Sequence, residues 1–261
     1  MYSSKFSKKI NILDVYIDNF SQEELCQIIS EKIKSDCKIK IFTPNTEILL
    51  KTERKDNEKY LINSAEILIP DGKGLILASK ILKTPLKERI AGIDLAEDIM
   101  KIALKNNYSI YILGGKDNIV KQAKINLKLK YKALKICGTH SGYFSQEESN
   151  DIINKITSAK ADILFVCMGF PRQERWIYEN IDKLTNVKLA IGLGGSVDVW
   201  AGKLKRAPYL FRKCSIEWLW RMLLEPRRFK FLFDIPVFLS KILIQRYKTI
   251  KKAKITDGKN D

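Results

Sequence analysis

The chain has 261 residues, of which 45% are hydrophobic and 30% are charged. This composition is typical of a globular protein with a substantial core, and it argues against a disordered chain. The formal net charge is +17, and residues 201–261 contribute +11 of it, because they contain 16 Lys or Arg and 5 Asp or Glu. A polyanionic partner is therefore expected at the C-terminal end: nucleic acid, anionic lipid or a phosphate-bearing substrate.

The cysteines and the N-terminal segment both indicate the cytosol. The five cysteines are widely spaced and form no CxxC pair, which favours free thiols in a reducing compartment over disulfides or a zinc site. The first 20 residues contain no continuous apolar run, so no signal peptide is expected.

In chain order, the hydrophobic pattern predicts alternating strands and helices. The first half contains strands at 10–20, 38–45 and 66–74, and helices at 21–36, 46–65, 75–82 and from about Asp94. From Tyr108 the alternation is regular, with strands at 108–115, 132–144, 161–169 and 187–195 and helices at 116–131, 145–160 and 171–184. The pattern predicts an α/β fold with a Rossmann-like, mostly parallel sheet flanked by helices, over residues 1–202.

Residues 203–261 are expected to form a basic amphipathic helical appendage. Their most apolar stretch, 231–244, has 14 residues and contains Asp234 and Lys241, so it is too short and too charged to cross a bilayer. Basic amphipathic helices with aromatic residues favour contact with the membrane surface. The alternative is a helical pair packed on the core.

Polar residues follow three predicted strands, at the positions where an open α/β sheet places its chemistry. These residues are Thr43, Asn45, Asp71 and Gln173, and we expect them to form the active site. Asp71 could be a general base that takes a proton from an attacking hydroxyl, or it could cap a helix. Gln173 is a candidate for hydrogen bonds to a substrate.

Two glycine-rich turns also follow strands and could bring backbone N–H groups to a diphosphate. They contain Gly114 with Gly115 and Gly194 with Gly195. Neither turn matches a Walker A loop or a full dinucleotide fingerprint. A tight turn that requires glycine explains each of them equally well. His140 is the only histidine, and nothing near it in the sequence completes a catalytic triad or a metal site, so a loop is predicted there.

Arginines recur through the appendage beside Trp218 and Trp220. They are Arg206, Arg212, Arg221, Arg227 and Arg228. Arginine binds phosphate oxygens in a bidentate manner, so a pyrophosphate or a lipid head group is a fitting partner. Nucleic acid would also satisfy this charge, although the Trp, Leu and Phe content is more apolar than a phosphate-backbone surface requires.

Taken together, eight motifs resemble the bacterial WecG/TagA/CpsF glycosyltransferase family. In order they are TPNTE, ILIPDGKG, ERIAGIDL, ILGGK, GTHSGYF, MGFPRQE, GLGGSVDVWAGKLKRAP and EWLWRMLLEPRR, from about Asn11 to Arg228. The resemblance implies an inverting transferase that needs no metal or other cofactor. It would be peripheral on the cytoplasmic face of the membrane. It would move N-acetylmannosamine from a UDP donor to undecaprenyl-diphosphate-linked N-acetylglucosamine, building a lipid-linked disaccharide for teichoic acid or another surface polymer.

The resemblance also assigns expected roles to residues. It makes Asp71 the base, places Thr43, Asn45 and Gln173 in the pocket, gives Arg89 to a donor or product phosphate, and gives Arg221 and Arg228 to the lipid diphosphate. Other members use glucose or a mannosaminuronic acid, so the donor follows the majority case. A self-associated soluble form is also expected from the apolar tail. The rival classes are a non-catalytic nucleic-acid-binding protein, an NAD-dependent enzyme and a structural membrane-surface module.

Overall fold

A computed structural model describes residues 8–257 except 36, 209–210, 212–219 and 221–230, and for 231–232 and 252–257 it describes the backbone only. At its centre lies a six-stranded parallel sheet with the strand order β4-β3-β8-β7-β5-β6. Its strands are β3 (Ile39–Phe42), β4 (Ile67–Leu68), β5 (Ser109–Gly114), β6 (Lys135–His140), β7 (Ile163–Cys167) and β8 (Leu189–Gly192). This sheet confirms the predicted Rossmann-like α/β fold.

Side chains alternate between the two faces of the sheet, as the strand geometry requires. In β7, Ile163 and Phe165 pack on one face, whereas Leu164 and Val166 pack on the other, and all four are fully buried. Both faces therefore carry a hydrophobic core, and helices cover each of them. This explains why the strands read as continuous apolar runs in the sequence.

The helices divide between the two faces. Those on one face are α1 (Gln22–Lys32), α5 (Gly92–Asn106), α6 (Asp117–Lys130) and α9 (Ser196–Trp200). Those on the other are α2 (Thr46–Thr52), α3 (Asp56–Asn63), α4 (Lys73–Ile81), α7 (Ser149–Ser158), α8 (Arg172–Asn180) and α10 (Phe231–Asp257). A capping box of Ser21 and Glu24 begins α1, since each side chain accepts from the backbone N–H of the other residue.

Two predicted elements were wrong in detail. The single strand expected at 10–20 is a hairpin of β1 (Ile10–Ile12) and β2 (Val15–Ile17), because Leu13 and Asp14 turn the chain with φ of 52° and 60°. The single helix expected at 46–65 is split into α2 and α3. The hairpin packs beside the sheet edge, where Asp18 N–H donates to the carbonyl of Leu68.

Helix α10 packs on the α/β body through one of its faces. Phe238 and Ile242 are buried against the core that α2 and α4 also cover. Lys241 forms an ion pair with Glu53 at 3.0 Å, and the Gln245 side chain accepts from the backbone N–H of Leu13 at 3.0 Å. The C-terminal helix is thus attached to both α2 and the N-terminal hairpin.

The opposite face of α10 is apolar but exposed. Its exposed hydrophobic residues are Phe233, Ile235, Val237, Leu243, Ile244, Tyr247 and Ile250. Lys248 and Lys251 are exposed on the same helix. Within the described part of the chain, no helix combines the length and the apolar character needed to cross a membrane.

Candidate active site

The candidate site residues gather at one edge of the sheet. Because the six strands run parallel, their carboxyl ends meet at this edge, where ligands bind in open α/β folds. Asp71 follows β4, Thr43 follows β3, Gln173 follows β7, and Gly194 follows β8. The parallel topology therefore brings these strand ends to one edge, while the roles of the residues there stay a prediction.

Asp71 sits between the end of β4 and the start of α5. Its Oδ2 accepts from the backbone N–H of Gly92, the first residue of α5, at 3.2 Å, and its own N–H donates to the carbonyl of Pro44 at 3.0 Å. It does not cap the helix that follows it, since the residue before α4 is Gly72, without a side-chain cap. The positive end of the α5 dipole interacts favourably with this carboxylate and fixes its position.

Thr43 packs against Gly92, the same glycine that donates to Asp71. A Cβ placed on Gly92 would lie 3.3 Å from Thr43 Cγ2 and 3.6 Å from Asp71 Oδ2, so both side chains pack closely against Gly92. The Thr43 hydroxyl donates to the carbonyl of Gly192, at the end of β8, at 3.1 Å. Thr43 therefore lies between Gly92, which holds the candidate base, and the end of β8.

Asn45 and Arg89 lie next to residues that are hydrogen-bonded to the strand end around Asp71. The Asn45 side chain accepts from the backbone N–H of Ile48 at 3.0 Å and so caps α2. Arg89 is half-buried and precedes Ile90, whose N–H donates to the carbonyl of Pro70 at 3.1 Å. The cap gives Asn45 a structural task besides any contact with a substrate.

Gln173 is buried, with 3% of its surface exposed, and both ends of its amide are occupied. Its Oε1 accepts from the backbone N–H groups of Gly169 at 3.1 Å and Gly194 at 2.9 Å. Its Nε2 donates to Oε1 of Glu174 at 2.8 Å. The side chain thus joins the turn after β7 to the turn after β8, a role that the sequence did not suggest.

Glu174 is the residue that sequence reasoning missed. It is 1% exposed, and burial raises the pKa of its carboxyl to about 7, although the hydrogen bond from Gln173 opposes this. Its Oε2 has no hydrogen-bond partner among the described residues. A charged residue in the first turn of a helix gave no sign of burial, because acidic residues at that position are usually solvated.

Both glycine turns contain backbone N–H groups that make hydrogen bonds within the fold, unlike the N–H groups of a free anion-binding loop. The N–H of Gly115 donates to the carbonyl of Cys167 at 3.1 Å, and the N–H of Gly194 donates to Gln173. Gly114 adopts a φ of 143°, and its Cα packs against the carbonyl of Cys167. A Cβ at this position would lie 2.3 Å from the carbonyl oxygen. The N–H groups of Gly115 and Gly194 therefore stabilise the fold. In the second turn, Gly195 is the exposed residue.

The loop after β6 closes over the first glycine turn. The N–H of Gly142 donates to the carbonyl of Gly115 at 2.8 Å, and Arg172 donates to the carbonyl of Gly142 at 2.8 Å. His140, at the end of β6, has its Nδ1 2.9 Å from the carbonyl of Ser141. The loop predicted at His140 is therefore wrong for that residue, which still belongs to β6. The loop begins at Ser141, and Arg172 helps to fix it at the site edge.

Comparisons with known proteins identify the family of this chain. The family model described as glycosyl transferase WecG/TagA/CpsF family matches residues 10–252. The chain belongs to this family. The N-acetylglucosaminyldiphosphoundecaprenol N-acetyl-beta-D-mannosaminyltransferases of Staphylococcus aureus strains NCTC 8325 and MRSA252 are each 36% identical to it over 248 residues, covering 94% of this chain and 96% of the relative. Membership of the WecG/TagA/CpsF family makes the chain a sugar-transferring enzyme, as the motifs predicted.

The arginines expected to bind phosphate are only partly described. Arg206 forms an ion pair with Asp94 on α5 and lies 3.8 Å from Glu97, so its guanidinium is committed to carboxylates. Arg212, Arg221 and Arg228 lie outside the described residues. In this member of the WecG/TagA/CpsF family, Arg206 therefore attaches the start of the appendage to the helix whose first N–H holds Asp71.

Proposed function

We propose that the protein transfers N-acetylmannosamine from UDP-N-acetylmannosamine to undecaprenyl-diphosphate-linked N-acetylglucosamine, with inversion at the anomeric carbon. The observation that carries the proposal is the Asp71 carboxylate, held by the N-terminus of α5 at the carboxyl edge of the sheet. The names of the 36% identical relatives support the choice of acceptor and of sugar.

Asp71 acts as the general base in this proposal. Its carboxylate takes the proton from the attacking hydroxyl of the acceptor while that oxygen forms a bond to the anomeric carbon of the donor. The bond from the same carbon to the UDP oxygen breaks, and UDP leaves with the electron pair. Inversion requires the acceptor and Asp71 on one face of the sugar and UDP on the other.

The remaining edge residues bind substrates in the proposal. Thr43 and Asn45, after β3, would contact the sugar, and Gln173 would reach the same pocket through the turns that it holds. Arginine N–H groups carry the diphosphate charge: Arg89 beside Asp71, and Arg212, Arg221 and Arg228 of the appendage. Gly114, Gly115, Gly194 and Gly195 would form the wall against which the donor lies. The proposal includes no metal.

We also propose a peripheral position on the inner face of the membrane, which helix α10 supports. Its outer face combines the exposed apolar residues Phe233, Leu243, Ile244 and Tyr247 with lysines, as a helix at an anionic lipid surface does. This face would place the carboxyl edge near the lipid-borne acceptor. In solution the same apolar face favours a homo-oligomer that dissociates on the membrane. Nucleic acid is not part of the proposal.

The test is the release of UDP from UDP-N-acetylmannosamine, with and without a short-chain prenyl-diphosphate N-acetylglucosamine, in EDTA. We expect acceptor-dependent release that Asp71→Asn lowers by about 10²- to 10⁴-fold, the usual contribution of a general base. Asp117→Asn, an exposed acid at the start of α6, is the matched control and should retain full activity. Normal turnover by folded Asp71→Asn would refute the assignment of the base.

Other UDP-sugars decide the donor. If N-acetylmannosamine is not transferred but UDP-glucose or UDP-N-acetylmannosaminuronate is, the reaction class stands and the sugar is wrong. If no UDP-sugar is turned over and UDP does not bind, the proposed reaction fails.

A further inference from the structure

The buried pair of Gln173 and Glu174 lies directly behind the two turns that line the site. We propose that Glu174 is a positioning residue: by accepting from Gln173 Nε2, it holds the glutamine amide in the orientation in which Oε1 fixes the turns at Gly169 and Gly194. The inference rests on the proposed function for its kinetic consequence, but the geometry is independent of the substrate.

The orientation of the Gln173 amide decides whether the turns are satisfied. With Oε1 toward them, one oxygen accepts from two backbone N–H groups, at 3.1 Å and 2.9 Å. With the amide turned over, Nε2 would face these two donors, and three N–H groups would lack acceptors. Buried donors without acceptors are strongly unfavourable, so the two orientations are not interchangeable.

Glu174 is suited to fix the amide because its carboxyl makes one hydrogen bond among the described residues, and it accepts that bond from Gln173 Nε2. Its Oε1 lies 2.8 Å from Nε2, and its surroundings are closed to water, since 1% of the residue is exposed. The unpartnered Oε2 is costly to bury, so the carboxyl is not there for stability. Burial raises the pKa of Glu174, which agrees with a site closed to solvent.

The glycine at the end of β8 shows how closely the amide is packed. A Cβ on Gly192 would lie 2.8 Å from Gln173 Nε2, so the amide rests on the backbone there. The carbonyl of the same Gly192 accepts from Thr43. A shift of the Gln173 amide would therefore reach Thr43, which packs against Gly92, the residue whose N–H donates to the candidate base.

Both turns that Gln173 holds face open space. Gly169 and Gly194 have φ of 75° and 52°, and a Cβ on either would meet nothing within 4 Å. These are surfaces that a ligand at the carboxyl edge can reach. Without the glutamine oxygen, nothing described in the structure replaces the hydrogen bonds of their N–H groups. Glu174 thus controls the shape of the site wall without touching a substrate.

The first test observes the turns directly. Full-length protein labelled with ¹⁵N-glycine gives signals from 13 glycines. Glu174→Leu removes the acceptor at similar volume, and we expect it to shift the Gly169 and Gly194 amide signals and to speed their hydrogen exchange at least tenfold. Glu174→Gln keeps an acceptor oxygen and should restore both. Glu179→Leu, at an exposed position of the same helix, should leave both signals unchanged.

The second test is kinetic. We expect Glu174→Leu to lower kcat about tenfold per folded molecule while the KM for the UDP-sugar changes less than threefold, and Glu174→Gln to recover most of the loss. A purely structural role would reduce the amount of folded enzyme but leave kcat per folded molecule unchanged.

Two outcomes would overturn the proposal: unchanged Gly169 and Gly194 signals in Glu174→Leu, or shifted signals with unchanged kcat. If the parent protein turns over no UDP-sugar, the proposed reaction is at fault, and the amide signals still decide the role of Glu174 in holding the turns.

Discussion

Replacing Glu174 by Gln is expected to change how the free energy of unfolding depends on pH. Burial raises the pKa of this carboxyl from 4.5 to about 7 in the folded protein, whereas in the unfolded chain it titrates near its ordinary value. Between pH 4.5 and 7 the unfolded chain loses the proton more readily than the folded protein. The parent protein therefore loses stability through Glu174 as the pH rises through this window.

The size of the effect follows from the pKa difference, which corresponds to about 3 kcal/mol. Glutamine has no proton to lose, so Glu174→Gln lacks this dependence. Other titrating groups affect both proteins alike and cancel in the comparison. The free energy of unfolding of the variant minus that of the parent should therefore increase by about 3 kcal/mol between pH 4.5 and pH 8.

Urea unfolding at pH 4.5, 6 and 8 measures this difference, and equal m values at each pH would show that the two proteins unfold in the same way. Glu179→Gln, on the exposed side of α8, is the control, and its difference from the parent should stay constant. A Glu174→Gln difference that is also constant over this range would refute the reasoning, since it would mean that the carboxylate is well solvated in the folded state.

Three further predictions concern α10 and the site. Ile242→Ala should lower the free energy of unfolding by about 2–5 kcal/mol, because Ile242 is fully buried. Replacing the exposed Leu243 and Ile244 together by Ser should leave the urea midpoint nearly unchanged but reduce sedimentation with anionic vesicles; undiminished sedimentation would contradict a lipid-binding outer face. Thr43→Val should cost about 1 kcal/mol through the lost bond to the carbonyl of Gly192, measured by urea unfolding, whereas Thr43→Ser should retain most of it.

The sequence predicted the sheet well, because its strands are continuous apolar runs that end in Gly or Pro turns. It failed at the N-terminal hairpin, since Leu13 and Asp14 turn the chain in a left-handed conformation that Gly or Asn usually marks. It also failed to divide α2 from α3, because no Gly or Pro lies between Glu53 and Lys55.

In the candidate site, sequence reasoning predicted which residues lie at the edge of the sheet but not all their contacts. Asp71 and Thr43 were predictable because each follows a strand of a parallel sheet. The hydrogen bonds of Asp71 with Gly92 and of Gln173 with Gly194 were not, since each joins residues 21 positions apart. The burial of Glu174 had no signal in the local pattern for the same reason: the elements that cover it are distant in the chain.

The attachment of α10 to the N-terminal hairpin has a consequence for synthesis. Gln245 contacts Leu13 across 232 positions, and Phe238 and Ile242 fill the core beside α2 and α4. At roughly 5–20 residues per second, the ribosome needs on the order of 10 to 50 s to make the chain between the hairpin and this helix. The apolar surface under α10 stays uncovered for that time. A nascent chain at this stage is therefore a natural substrate for chaperones, and a message truncated before residue 238 would yield a protein that exposes this surface permanently.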